Sequence, residues 1–314
     1  MSKGKRGSMA YQVSQAKYDE RKRCKDDNGT VSSKTMRQYK RHTIGFAQWC
    51  KEEHGVKEFA DCKQYIQEYA DWLVREGKSD GTCHTYLAAI CRYFDIPLDK
   101  IKKPKRICAN NKRSRGEKES DSRADTRREI SPRLYDFAEK VGVRRAEYAR
   151  ISDTDLVCDE SGHPCVQIRK GKGGKFQLQR ILPEDLDAIT KYFQGTGCVL
   201  FAKEELTNKI DLHALRAVLA RRAYDHYVER IEREGRDKLI AEIKARWEKY
   251  CGKKWDESVV RDQPYYIRGA NKHLAIENGL PVVYNRLALM AVSVFHLSHW
   301  RLDVTVGNYI LAVN

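Results

Sequence analysis

Hydrophobic side chains recur every three or four residues along much of this chain, apart from a break near 251–281, and in one place that period gives way to a shorter one. From 157 to 182 (VCDESGHPCVQIRKGKGGKFQLQRIL) short Val, Ile, Leu, Phe and Cys segments are split by Ser-Gly and Gly-Lys-Gly-Gly turns. A helix cannot keep one apolar face through such a pattern, whereas three antiparallel strands can. The expected fold class is therefore mainly α, with a small antiparallel sheet inside an α+β second half.

The helical period is clearest in the first half. Met36, Tyr39, Thr43, Phe46 and Cys50 share one face after the cap candidates Ser32 and Ser33. Tyr65, Ile66, Tyr69, Leu73 and Val74 share another, ended by Gly77. A third helix follows Ser79-Asp80 and stops before Pro97. Residues 31–105 thus read as a small helical domain. Residues 1–30 read as a basic arm or tail, and 106–130, dense in Lys and Arg, as a basic linker suited to a path along phosphates. A second domain, 131–314, opens at Ser131-Pro132, an N-cap followed by proline at the first helical position. Within it a helical insertion is expected at about 225–281. It starts with one charged helix, about 223–250, whose broken apolar stripe is Tyr227, Ile231, Leu239, Ile240, Ile243 and Trp247. That stripe predicts either a hairpin packed on its own domain or a contact with DNA or a second protomer.

Charge narrows the partner. Sixty Lys and Arg against 44 Asp and Glu give a net charge of +16, which suits a polyanion. No run of about 18 apolar residues is present to span a membrane, and MSKGKRGSMAYQ lacks the apolar stretch of a secretion signal. The ten cysteines are scattered with no C-x-x-C. Cys158, His163 and Cys165 come nearest to a metal cluster, but no fourth ligand stands at finger spacing, so they read as part of a structural hairpin. These features predict a soluble, reduced, cytoplasmic protein that binds nucleic acid, with no membrane, metal or cofactor.

The chemistry-bearing residues are spread along 142–309. In Asp211-Leu212-His213-Ala214-Leu215-Arg216, His213 and Arg216 lie three apart and share a helix face. A histidine can share a proton, and an arginine can grip a phosphate with two parallel donors. Upstream, Gly142-Val143-Arg144-Arg145-Ala146-Glu147 starts a helix, and Gly171-Lys172-Gly173-Gly174-Lys175 forms the second hairpin turn. Downstream, Leu297-Ser298-His299 is followed by Tyr309. His296 stands one helical turn from His299 and reads as a helix-face residue rather than a metal ligand.

The order G-h-R-x-x-E, a lysine in a G-K-G-x-K turn, H-x-L-R, L-x-H and a late tyrosine resembles the tyrosine recombinases of the phage-integrase family. The likeness covers nearly all of 142–314, and the helical domain before it is similar to that family's SAM-like core-binding domain. It implies a site-specific recombinase that breaks and rejoins DNA through a 3′-phosphotyrosyl link, as in integration or excision of a mobile element. Arg144 and Arg216 would hold the non-bridging phosphate oxygens, with His213 and His299 adding hydrogen bonds. Lys172 would protonate the departing 5′-oxygen, and Tyr309 would be the nucleophile, acting in cis or in trans. Glu147 would buttress an arginine. Arg145 stays open beside Arg144, and Lys170 or Lys175 beside Lys172. The resemblance also implies double-stranded DNA as the partner and nucleoid association in a bacterium. It further implies a homotetramer assembled on two DNA sites, clamped by both domains, with room for an accessory DNA-bending or directionality protein. Lys78, Ser79, Thr82, His84 and Arg92 are candidates for reading bases.

The sequence departs from the family's pattern in three ways. His299 and Tyr309 are ten apart where nine is commoner, the segment between Arg216 and His299 is long, and only ILAVN follows Tyr309. That tail is too short for a stable helix, so either it docks as an extended segment or the insertion takes the role of the family's C-terminal helix. Two rival readings are a type IB topoisomerase-like enzyme and a non-catalytic DNA-binding regulator of the same fold.

Overall fold

A computed structural model of the chain describes residues 7–16, 33–105, 128–171, 174–206 and 210–311. The fold is mainly helical with a small three-stranded antiparallel sheet, as the change of period predicts. The chain forms two compact units, Met1–Asn111 and Lys112–Asn314.

The first unit contains α1 (9–16), α2 (Ser33–His54), a 3₁₀ turn (Phe59–Tyr65), α3 (Ile66–Arg75) and α4 (Asp80–Tyr93). Gly77 adopts φ +66° just after α3, a conformation that suits glycine and ends helices. Phe46, Trp49, Cys50, Tyr69, Leu73, Leu87 and Ile90 fill the core. Part of the expected N-terminal tail belongs to that core. Met9 and Val13, four apart on α1, are both buried in it. Gln12 fastens the same helix, accepting from the Phe59 amide (2.6 Å) and donating to the Lys57 carbonyl (2.9 Å). One turn of apolar spacing in a basic stretch is too weak a pattern to stand out in the sequence.

Ser79, Thr82 and His84, among the base-reading candidates, have internal partners. The Ser79 hydroxyl caps α4 at the Thr82 amide (3.3 Å) and lies 2.9 Å from the Thr82 hydroxyl, and His84 Nε2 meets the Pro104 carbonyl (2.9 Å). Most of the expected linker, 106–127, lies outside the described residues.

In the second unit Ser131 stands at the N-cap position of α5 (Pro132–Lys140) without a side-chain capping hydrogen bond, and Pro132 is in the first turn as the sequence suggests. The chain passes Gly142 into the single turn α6 (Arg145–Tyr148). β1 (Leu156–Cys158), β2 (Pro164–Ile168) and β3 (Gln177–Arg180) then form the antiparallel sheet in the order β1-β2-β3, with Val166 opposite both Leu156 and Gln179. After α7 (Leu186–Thr190), α8 runs from Leu212 to Glu234 and α9 from Asp237 to Tyr250. The expected single helix over 223–250 is thus two. The helix bearing His213 and Arg216 extends through 223, and Gly235, at φ +81°, stops it.

These two helices make a hairpin that packs on its own domain. Tyr227, Leu239, Ile243 and Trp247 are buried in one core with Leu287, Val294 and Phe295. A buried ion network reinforces the packing. Arg180 on β3 pairs with Asp159 (2.6 Å) and Glu242 (2.7 Å), Arg230 pairs with Glu242 (2.6 Å), and Arg246 pairs with Asp159 (2.7 Å). His163 reaches Glu242 (3.3 Å), and the Cys165 thiol points to Asp159 and the His163 carbonyl. The Cys158–His163–Cys165 region is therefore tied into the hairpin.

Beyond α9, β4 (Tyr265–Tyr266) pairs with β5 (Val283–Tyr284) around α10 (Ala270–Glu277). α11 (Arg286–Ala291) continues into a π-helical turn, Val292–His296, and α12 (Leu302–Thr305) into another, Val306–Ile310. Among the described residues no helix is long and apolar enough to cross a membrane.

Candidate active site

Four of the six candidate residues come together, three of them around the ring of the fourth, Tyr309. Tyr309 is buried (3% exposed) on the second π turn, and its hydroxyl lies 3.0 Å from His299 Nε2. The Arg216 guanidinium carbon stands 5.2 Å from the centre of the Tyr309 ring. His213, one helical turn before Arg216 on α8, meets the ring edge-on with centroids 5.0 Å apart. The i, i+3 spacing of His213 and Arg216 delivers both side chains to the same place, and Asp211 caps the helix at the His213 and Ala214 amides.

Of the two π turns, only Val306–Ile310 falls within the ten-residue interval from His299 to Tyr309. A π turn closes over five residues rather than four, so it holds one more residue than an α turn. The Leu311 amide donates to the Val306 carbonyl (3.0 Å) and the Leu297 amide to the Val292 carbonyl (3.1 Å), on either side of the His299 loop.

Arg216 is 1% exposed. Its Nη2 donates to the Leu297 carbonyl (2.6 Å), which ties α8 to the histidine loop, while Nε and Nη1 are buried with no hydrogen-bond partner. Burial pushes its pKa below the usual value, but a guanidinium starts so far above neutrality that it keeps its charge. A buried cation with two idle donors is costly. That cost is typical of a site prepared for an anion.

Arg144 stands at the N-cap of α6 and is held through both its backbone amide and its guanidinium. Its amide donates to Glu147 Oε2 (2.7 Å), and its Nη1 donates to Glu147 Oε1 (3.0 Å) and Gln177 Oε1 (3.4 Å). Glu147 is 3% exposed and supports this arginine. The neighbouring Arg145 turns instead to the carbonyls of Leu206 and Ile210. Gly142 allows the approach, since a Cβ there would meet Leu219 at 2.9 Å and Arg216 Cγ at 3.2 Å.

Arg144 lines a cleft of about 360 Å³ with Lys175, Gln177, Tyr250, His299 and Trp300. Lys172 lies outside the described residues. Lys175, its alternative in the sequence, is exposed and borders the cleft. His296 is fully buried and bonds Tyr227 through Nε2 (3.2 Å), and burial pushes its pKa down to about 3, so the ring is neutral.

Three groups near the site escape a reading of the sequence alone. Gln177 touches Arg144, Gln179 Nε2 donates to Ser298 Oγ (3.0 Å), and Arg221 Nη1 donates to the Tyr309 carbonyl (3.4 Å). The glutamines look like the solvent side of an alternating strand, yet β3 is buried along its whole length, with α9 against it.

The arrangement thus places a phenol against an imidazole, beside a buried guanidinium and next to a cleft edged by a second guanidinium. Such a set can bind an anion and bring an oxygen nucleophile to it. No family model matches the sequence, and no curated protein matches it. The chain is similar to the solved crystal structure of XerA recombinase, at 17% identity over 68% of this chain and 83% of that one, with a TM-score of 0.23.

Proposed function

We propose that the chain is a site-specific DNA recombinase that cleaves and rejoins strands through a 3′-phosphotyrosyl intermediate. The observation that carries this reading is the Tyr309 hydroxyl against His299, beside a buried Arg216 with two unpartnered donors. In the reaction, Arg144 and Arg216 grip the non-bridging oxygens of one phosphodiester, and their charge offsets what accumulates on the pentavalent transition state. Tyr309 Oη attacks phosphorus as its proton passes to His299, and His213 adds a hydrogen bond to the phosphate. The P–O5′ bond breaks, and the leaving oxygen takes a proton from a hairpin lysine, Lys172 or else Lys175, which borders the cleft. The phosphotyrosine conserves the bond energy, so a 5′-hydroxyl from another duplex reverses the step and joins the strands without ATP.

The partner is double-stranded DNA, drawn by the +16 charge, and strand exchange uses four protomers on two sites. The test is exchange between two plasmids that each carry DNA captured by the protein, in buffer containing chelator. Chelator-resistant exchange is expected. Relaxation of supercoils without exchange would make the chain a type IB topoisomerase-like enzyme, and binding without breakage a regulator.

A further inference from the structure

His299 is bracketed by two residues in left-handed backbone conformations, Ser298 at φ +49° and Trp300 at φ +60°. Neither is glycine, so the surroundings must impose these conformations. The His299 amide donates to the Ser293 carbonyl (3.0 Å) and the Arg301 amide to the Ser293 hydroxyl (3.0 Å), and two side-chain braces from other parts of the domain add to these. On one side Gln179 of β3 donates to the Ser298 hydroxyl (3.0 Å). On the other, the Trp300 ring meets Trp247 of α9 edge to face, with centroids 5.5 Å apart and planes at 90°.

Trp247 is itself anchored. It is 5% exposed, its indole nitrogen donates to the carbonyls of Lys253 (3.0 Å) and Lys254 (3.3 Å), and Trp255 packs across its other contact (5.8 Å). The same helix closes the cleft further along. Tyr250 stacks on Phe176 (5.4 Å), next to Lys175, and Arg246 donates to the Leu178 carbonyl (3.2 Å). All of these α9 residues belong to the segment that separates the H-x-L-R box from the L-x-H box.

We propose that Trp247 is a positioning residue for His299, acting through Trp300, so that the inserted hairpin is a structural part of the active centre. The inference rests on the phosphotyrosine reading for what His299 does, but the placement of the ring is separately measurable. An indole wedge against Trp300 fixes the direction in which the loop leaves His299. Without it the two left-handed residues relax, and His299 Nε2 leaves the Tyr309 hydroxyl.

The experiment compares wild type with Trp247→Leu and Trp247→Phe. In DNA-free protein, the ¹⁵N–¹H correlations of the His299 ring, assigned with His299→Gln, should move in Trp247→Leu and stay near the wild-type position in Trp247→Phe. On nicked duplex carrying the captured site, Trp247→Leu should lower the single-turnover rate of adduct formation about 30-fold, with DNA affinity by gel shift unchanged. Trp247→Phe should recover to within about threefold. Should Trp247→Leu fail to fold, Trp300→Leu severs the same link from a half-buried position. Unmoved His299 signals in either leucine variant would overturn the proposal. A rate loss matched by an equal loss of DNA affinity would overturn it too. An inactive wild type with shifted signals in the leucine variant would defeat the phosphotyrosine reading and leave the positioning role standing.

Discussion

The Tyr309 hydroxyl and His299 Nε2 lie 3.0 Å apart, each carried by backbone that departs from an ordinary α-helix. Tyr309 rides on a π turn, and His299 sits between two left-handed residues. Deviations of this kind cost free energy and persist where surrounding packing over-determines them. Here the packing comes from Gln179, Trp247 and the Arg216–Leu297 hydrogen bond.

Arg216 is expected to trade stability for function. Replacing it with methionine removes a buried charge with two unpartnered nitrogens, at the loss of one hydrogen bond to Leu297. Arg216→Met should therefore raise unfolding free energy by about 1–3 kcal/mol in urea titrations. The same change should lower adduct formation by about 10²- to 10³-fold. A fall in stability alongside lost activity would mark Arg216 as structural.

Acid should destabilise the second unit in two stages. Burial holds the His296 pKa down to about 3, against 6.5 for an exposed histidine. Between those values the unfolded chain takes up a proton that the folded chain refuses, so this contribution is full above 6.5 and declines as pH falls. Burial alone would raise the Glu242 pKa, but hydrogen bonds from His163, Arg230 and Arg180 outweigh it and hold the carboxyl well below its ordinary 4.5. Its contribution is present above about 4.5 and is lost as pH drops toward the folded value. His296→Met should flatten the decline that runs from pH 6.5 down to about 3 and leave the additional loss from Glu242 that sets in below 4.5. Glu242→Gln should flatten the limb below 4.5 and cost about 3–5 kcal/mol at pH 7. Denaturant titrations at several pH values separate the two.

Glu147→Gln should leave the fold intact and weaken the chemistry. Glutamine keeps one carbonyl acceptor but loses the charge that holds Arg144 from both its amide and its guanidinium. Adduct formation should fall about 10- to 100-fold, with gel-shift affinity nearly unchanged because the charge of Arg144 remains. Unaltered cleavage kinetics would show that Arg144 needs no such support.

Much of this architecture can be read from the sequence because local rules govern it. The three-residue step from His213 to Arg216 specifies a shared face, Ser131-Pro132 specifies a helix start, and the turns at 159–163 and 171–175 divide three strands. What escapes depends on contacts between distant segments. Gln177 and Gln179 alternate with Leu178 as solvent-facing residues would, and only the π turn Val292–His296 and α9, both packed on β3, make them internal. The break at Gly235 was hidden because the charged residues on both sides keep a helical pattern. The stripe Tyr227, Leu239, Ile243 and Trp247 suits a packed hairpin and an outward interface equally well. Its burial against Phe295 and Leu287 could be learned only from the folded chain.

The most direct test is to express the protein in cells, denature everything with detergent and look for DNA that stays attached. Wild type should retain DNA, and Tyr309→Phe, which lacks only the phenolic oxygen 3.0 Å from His299, should retain none. DNA attached equally to both proteins would place the nucleophile elsewhere and contradict this account of the site.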